Sequence, residues 1–239
     1  MTRLTACADG ESVAQRAAAH VARQLQRAED ERGVAHLALS GGTTPGRTYE
    51  LLAEHAAALE QAHVWFADER CVPATDAESN YRLAAETLLG PAGVAAERVH
   101  RMLGEAGPDE GAERYAQELQ RVLADAAAPA QLDVIVLGIG PDGHVASLFP
   151  GADTLDAGER AVCLGVHDSP KPPPQRITLS LAVLRAAREC VLLATGASKA
   201  DAVSAMLAEP SRHVPASLLR RERLTVFVDD DAAPAAPVA

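Results

Sequence analysis

The sequence predicts an α/β domain built on a mostly parallel sheet. Three observations lead there: six short runs that are apolar throughout, amphipathic stretches of helical period between several of them, and polar or glycine-rich residues at the end of nearly every run. Strands that are apolar on both sides need cover on both faces, and intervening helices supply it.

The elements follow in order. A short extended piece opens the chain, and Asp9 can cap a helix over residues 10–31 whose Ala, Val and Leu recur at helical spacing until Gly33 ends it. Strands are expected at 36–40 (HLALS), 64–68 (VWFAD), 132–138 (LDVIVLG), 161–166 (AVCLGV), 190–196 (CVLLATG) and 224–230 (LTVFVDD). Helices are expected at 45–58, with Pro45 in its first turn, and at 79–89, 109–127 and 197–207. The segment SPKPPPQ, 169–175, is an extended loop because consecutive prolines forbid helix and sheet interior. A single domain over 1–231 is expected, with 232–239 (AAPAAPVA) as a disordered tail.

Composition excludes several functions. Aromatic residues are only 3% of the 239 and the formal net charge is -11, so neither a stacking platform nor a basic stripe for nucleic acid is expected. A small phosphate can still be bound by an acidic protein, provided that cations and backbone N–H groups are gathered locally. The four cysteines lie far apart with no C-x-x-C pair, which indicates neither a zinc site nor a dense disulfide framework. No apolar run has the length of a signal peptide or a bilayer span, so the expected location is the cytoplasm, with no membrane partner.

Ligands of open α/β sheets gather at the carboxyl ends of the strands, so the residues there are the site candidates. Ser40, Gly41, Gly42, Thr43 and Thr44 join a strand to a helix, and that turn offers hydroxyls, closely approachable backbone and unpaired N–H groups to a phosphate. The spacing is not that of a nucleoside triphosphate loop. Lys199, one turn into a later helix, can supply a point charge to the same phosphate. Asp68-Glu69-Arg70 ends a buried strand in charge; Arg70 can stabilise an oxyanion or hold a hydroxyl, and Asp68 can orient a base or a sugar hydroxyl. These three loops and the one carrying Asp142-Gly143-His144 should converge.

The loop GIGPDGHVASLFPG, 138–151, has glycines spaced as G-x-G-x-x-G, the fingerprint of a dinucleotide turn. That reading needs a sustained helix from Gly143 and an acidic residue ending the next strand. Pro150-Gly151 cuts any helix short, and Asp156 and Glu159 precede the next strand. Asp142 and His144 are delivered instead to the ligand-facing edge, where a neutral imidazole can take a proton from water. Ser147 lies in no G-x-S-x-G elbow, which argues against a serine nucleophile.

LSGGTTP, WFADERCVP with ESNYRL, GIGPDGHVASLFPG, SPKPPPQRITLS and TGASKADAV stand in an order and spacing that resembles the 6-phosphogluconolactonases. The resemblance covers residues 36–205. It implies a Rossmann-like three-layer α/β/α fold shared with glucosamine-6-phosphate deaminase and ribose-5-phosphate isomerase. It also implies hydrolysis of 6-phospho-D-glucono-1,5-lactone, a small sugar-phosphate lactone partner, and no metal or organic cofactor. Carried to this chain, it makes His144 the general base with Asp142 shaping the site, sets Asp68 and Arg70 near the carbonyl or hydroxyls, and joins Arg176 to Ser40–Thr44 and Lys199 as the phosphate grip. Related deaminases continue from DGH to a glutamate that assists ring opening; Phe149 takes that place here, and an apolar ring cannot relay protons. A monomer is expected. A non-catalytic sugar-phosphate sensor would need an effector or DNA-binding module for which there is no spare length.

Overall fold

A computed structural model describes residues 2–123 and 131–234. Its first strand, β1 (Arg3–Cys7), leads into helix α1 (Gly10–Arg32), whose start and end follow local chemistry. Asp9 accepts a hydrogen bond from the Ser12 N–H at 2.7 Å, and Gly33, at φ +75°, donates its N–H to the Glu29 carbonyl. Then come β2 (Ala35–Leu39), α2 (Thr43–Ala53), β3 (Ala62–Phe66), β4 (Asp68–Arg70), α3 (Asn80–Ala84) and α4 (Pro108–Val122). The second half holds β5 (Val134–Gly138), β6 (Cys163–Val166), β7 (Arg176–Leu179), α5 (Leu181–Ala186), β8 (Glu189–Ala194), α6 (Ala200–Leu207) and β9 (Leu224–Asp229).

Six strands form one sheet in the order β1-β9-β8-β5-β2-β3, and every pairing in it is parallel. The strands β2, β3, β5, β8 and β9 are buried almost throughout, as the unbroken apolar runs require. Helices α1 and α2 pack on each other and on this sheet through Val13, Ala17, Val21, Leu25, Tyr49 and Leu52. The fold is the three-layer α/β/α arrangement expected. With so few aromatics, the large buried rings are structural. Tyr115 both donates to and accepts from the backbone of Phe66, closing the end of β3, and Tyr49 does the same to Ser40 just past β2.

The structure departs from the sequence reading in six places. The run expected at 161–166 is a strand, β6, but it belongs to a separate antiparallel sheet, β4-β7-β6. Strands β4 and β7 and helix α5 went unread because three, four and six residues carry too little period to register. The helix expected to reach 58 stops at Ala53 and resumes as a 3-10 turn at Ala56–Leu59. The stretch 79–89 starts under a Ser79 cap and runs as α3 into a π-helical turn, Ala85–Leu89. The 197–199 part of the fourth helix is a 3-10 turn preceding α6. Of the tail expected from 232, Ala232 is buried and donates its N–H to Asp229, while 235–239, like 124–127 of the helix expected to reach 127, lie outside the described residues.

Candidate active site

Strands β8, β5, β2 and β3 are neighbours in the sheet, so the loops leaving their carboxyl ends meet. Together with the Lys171–Pro172 loop they enclose a cavity of about 310 Å³ lined by Ser40–Thr44, Asp68, Arg70, Gly138–Gly140, His144, Arg176, Thr195 and Lys199. Ten of the eleven residues singled out in the sequence line it; Asp142 sits directly behind His144.

One side of the cavity offers hydrogen-bond donors and a lysine. Helix α2 opens on Gly42, at φ +117°, with no side chain capping its first N–H groups, so those donors remain free for a ligand. Ser40 is held from both sides: Tyr49 grips its backbone, and its hydroxyl accepts from the Gly138 N–H at 3.3 Å. The Thr44 hydroxyl lies 2.7 Å from that of Thr195. Facing this turn, Lys199 follows Gly196, whose N–H donates to both carboxylate oxygens of Asp229 at 3.0 and 2.9 Å. Partial burial and the nearby charge of Lys171 lower the Lys199 pKa from its ordinary value.

The other side carries a histidine–carboxylate pair. His144 Nδ1 lies 2.5 Å from Asp142 Oδ1, which leaves Nε2 without a hydrogen bond among the described residues. Lys171 Nζ is 3.4 Å from the same Nδ1 and 3.5 Å from Asp142 Oδ1. Nδ1 cannot both donate to the carboxylate and accept from an ammonium, and the shorter charged contact decides in favour of Asp142. Burial pushes the imidazole below its ordinary value, and the Asp142 bond and charge pull it back up. Burial raises the Asp142 carboxyl, but its bond to His144 and the charges of His144 and Lys171 outweigh that and leave it below the ordinary carboxylate value. The imidazole is therefore neutral near physiological pH, with its proton on the nitrogen that faces Asp142.

The glycine spacing has another use than a cofactor turn. A Cβ on Gly140 would overlap the His144 ring and the Asp142 carboxylate, and one on Gly143, at φ +80°, would stand 2.7 Å from Val214. No helix follows Gly143; the chain turns back through Ala146 at φ +49° and a Val145–Leu148 bridge. That turn sends the buried Ser147 hydroxyl to Asp68 Oδ2 at 2.7 Å, so Ser147 is engaged structurally. Phe149 packs against the His144 ring with centroids 4.8 Å apart.

The charged strand end divides into three roles. Glu69 is buried and accepts from Asn80 N, Tyr81 N, Arg70 N and the Ser79 hydroxyl, capping α3; burial raises its pKa even so. Asp68 accepts from Asn80 Nδ2 at 3.2 Å as well as from Ser147. Arg70 borders the cavity and donates to the Glu78 carbonyl at 2.5 Å. Arg176 lines the same cavity while bracing its own loop. It is 4% exposed, and its guanidinium donates to the carbonyls of Lys171, Pro172 and Pro173 while standing 5.7 Å over Phe149.

Lys171, Asn80, Thr195 and Asp229 went unmarked in the sequence. Lys171 had a signal, as the sole cation of a proline-rich loop that cannot be regular structure. Asn80 and Asp229 had none, because their work is done on backbone groups distant in sequence.

The comparisons with known proteins fit this geometry. Residues 8–228 match the family model described as glucosamine-6-phosphate isomerases/6-phosphogluconolactonase. A 6-phosphogluconolactonase of Streptomyces coelicolor is 39% identical over 94% of this chain and 90% of its own length. One from Rattus norvegicus is 37% identical over 94% and 88%. The structure of 6-phosphogluconolactonase from Trypanosoma cruzi superposes with a TM-score of 0.86 at 25% identity, covering 97% of this chain and 96% of that one. Sequence, architecture and the meeting of four strand ends around His144 agree: the chain belongs to the glucosamine-6-phosphate isomerase/6-phosphogluconolactonase family.

Proposed function

We infer that this chain hydrolyses 6-phospho-D-glucono-1,5-lactone to 6-phospho-D-gluconate in the pentose phosphate pathway, with His144 activating the attacking water. The observation that carries the mechanism is the division of one cavity into an anion-binding side, at the start of α2 with Lys199, and a proton-transfer side, at His144. A lactone carbonyl is already electrophilic, so positioning water, removing its proton and stabilising the oxyanion are sufficient.

In this reading Ser40–Thr44 and Lys199 hold the phosphate, and that remote binding orients the reacting carbon. Water attacks C1 as His144 Nε2 takes its proton, and the electron pair of the carbonyl moves onto oxygen. Arg70 and Lys171 supply positive charge for that oxyanion. The intermediate collapses with cleavage of the bond from C1 to the ring oxygen, which takes the proton back from His144. Asp142 keeps the working nitrogen unprotonated at the start and stabilises the imidazolium that follows. Asp68, fixed by Ser147 and Asn80, orients a sugar hydroxyl. Arg176 braces the loop that carries Lys171.

Phe149 against the imidazole favours hydrolysis over the deaminase chemistry of the same family, since that position offers no carboxyl to relay a proton. A monomer in the cytoplasm is the accompanying reading. Leu4 is the only large hydrophobic residue exposed among the described residues, which leaves no broad apolar face for an obligate partner. Also among them, no helix is long and apolar enough to cross a membrane. The test is lactone hydrolysis measured above the spontaneous rate, with glucosamine 6-phosphate as a parallel substrate and His144→Ala as the control. Lactone turnover that falls roughly 10²- to 10⁴-fold in the variant is expected; near wild-type turnover would refute the role of His144, and ammonia release from the amino sugar would reassign the chemistry.

A further inference from the structure

The amino-terminal edge of the sheet, remote from the catalytic cavity, carries a second pocket of about 320 Å³. Five guanidinium groups line it: Arg3 on β1, Arg27 and Arg32 near the end of α1, Arg188 before β8 and Arg223 before β9. Three carboxylates, Glu31, Asp133 and Glu189, face them, an excess of two positive charges in a chain whose net charge is -11. Such a local reversal of sign is what an acidic protein needs to hold a small anion.

Glu31 accepts from Arg27 Nε and from Arg32 Nη1, both at 2.7 Å, so among the described residues the free donors of the pocket lie on Arg188 and Arg223. Asp133 is buried, and its Oδ1 is shared by Arg32 at 2.8 Å and Arg188 at 3.1 Å, while Oδ2 is taken by the His36 N–H. One carboxylate therefore serves two cations. Buried Glu189 accepts from Arg3 at 2.6 Å, and also from the Thr225 hydroxyl, and its second oxygen meets His20. Arg223 pairs with the carbonyls of Ala186 and Ala187, and no carboxylate among the described residues neutralises it. Arg188, half-exposed and held through Nε, keeps both terminal nitrogens without a partner among the described residues. Unpaired guanidinium donors held at fixed angles around a cavity match the geometry of phosphate oxygens.

We propose that this pocket binds a small phosphate-bearing anion of charge two or more, separately from the substrate. A nucleic acid is disfavoured, because none of the described residues lining the pocket carries an aromatic ring on which a base could stack. The site lies where β5 and β8 begin, and the same two strands end at Gly138 and Ala194 in the catalytic cavity. Because the arginines are partly exposed, binding weakens as ionic strength rises.

Calorimetric titration of the full chain with inorganic pyrophosphate, at low ionic strength, tests this. The expected stoichiometry is two equivalents, one at the catalytic anion turn and one at the arginine pocket. The variant Arg188→Gln, alone and with Arg223→Gln, should weaken the second equivalent by about tenfold or more per arginine with lactone hydrolysis unchanged. Arg188→Lys should weaken it less. A parallel titration with adenosine triphosphate identifies the source: tighter binding than pyrophosphate assigns a nucleotide, and equal binding assigns the phosphate groups alone. A single equivalent that disappears in Lys199→Ala overturns the proposal, as do two equivalents that survive in the double variant.

Discussion

His144 and Asp142 are joined through Nδ1 and Oδ1 at 2.5 Å, and Lys171 stands 3.5 Å from the same carboxylate oxygen. Three residues of different charge thus share one atom, and the carboxylate sets both the tautomer of the imidazole and its basicity. Asp142→Asn keeps the shape and removes the charge. The expected result is a fall in kcat of roughly 10²-fold or more, with KM nearly unchanged. Because burial already holds the His144 pKa below its ordinary value, wild-type kcat/KM should fall along an acid limb whose midpoint lies below pH 6.5. Losing the Asp142 charge moves that limb to still lower pH. A pH–rate profile checks both effects, and a limb that stays in place contradicts the assignment.

Gly140 lies where any Cβ would collide with the His144 ring and the Asp142 carboxylate. Gly140→Ala should therefore displace the dyad, lowering kcat more than it raises KM. Overpacking of this kind costs about 1–3 kcal/mol, so a lowered Tm accompanies the loss. Steady-state kinetics with a thermal melt separate the two effects. A variant with normal kcat would mean that the ring can shift without consequence.

The sequence revealed the parallel sheet and the four strand ends because each depends on consecutive residues. Apolar runs declare buried strands, and a strand that is broken by Ser-Gly-Gly or Asp-Glu-Arg declares its end. What it hid depends on distance. The antiparallel sheet β4-β7-β6 pairs Asp68 with Thr178 and Arg70 with Arg176, far apart in sequence, and β4 and β7 are each too short to show a period. Glu69 looked like a companion of Asp68 and Arg70, yet it points into the core to cap α3, a division of labour that requires knowing where α3 starts. The spacing of Gly138, Gly140 and Gly143 was legible, but its cause, room for an imidazole and for Val214, was not.

Lys199 and Arg176 should now behave differently from each other. Lys199 is half-exposed and faces the open turn of α2, so Lys199→Ala should raise KM with a smaller change in kcat. Arg176 is buried, with Nε and Nη2 donating to the carbonyls of Lys171, Pro172 and Pro173 and Nη1 only to the Ser147 hydroxyl at 3.5 Å. Arg176→Ala leaves those acceptors unpaired and frees the loop that carries Lys171. It should lower kcat and Tm together, whereas Arg176→Lys, which keeps a charge without the fork, should restore only part of either. Equal KM effects in the two alanine variants would return Arg176 to the phosphate.

His36 gives the stability of the fold a pH dependence separate from catalysis. It accepts from Trp65 Nε1 at 3.2 Å and lies beside His63, and burial, reinforced by His63, His100 and Arg32, pushes its pKa down to about 4. The sign follows from proton counting. Between pH 6.5 and 4 the unfolded chain binds a proton at this position and the folded chain does not. Stability is therefore fully present above pH 6.5 and falls as pH falls through that window. The full shift corresponds to on the order of 3 kcal/mol, and burial lowers the His63 pKa as well, which acts in the same direction. His36→Gln, whose amide oxygen can still accept from Trp65, should narrow the difference in unfolding free energy between pH 7.5 and pH 4.5. Urea melts at the two pH values measure it, and an undiminished difference would place the acid sensitivity on other groups.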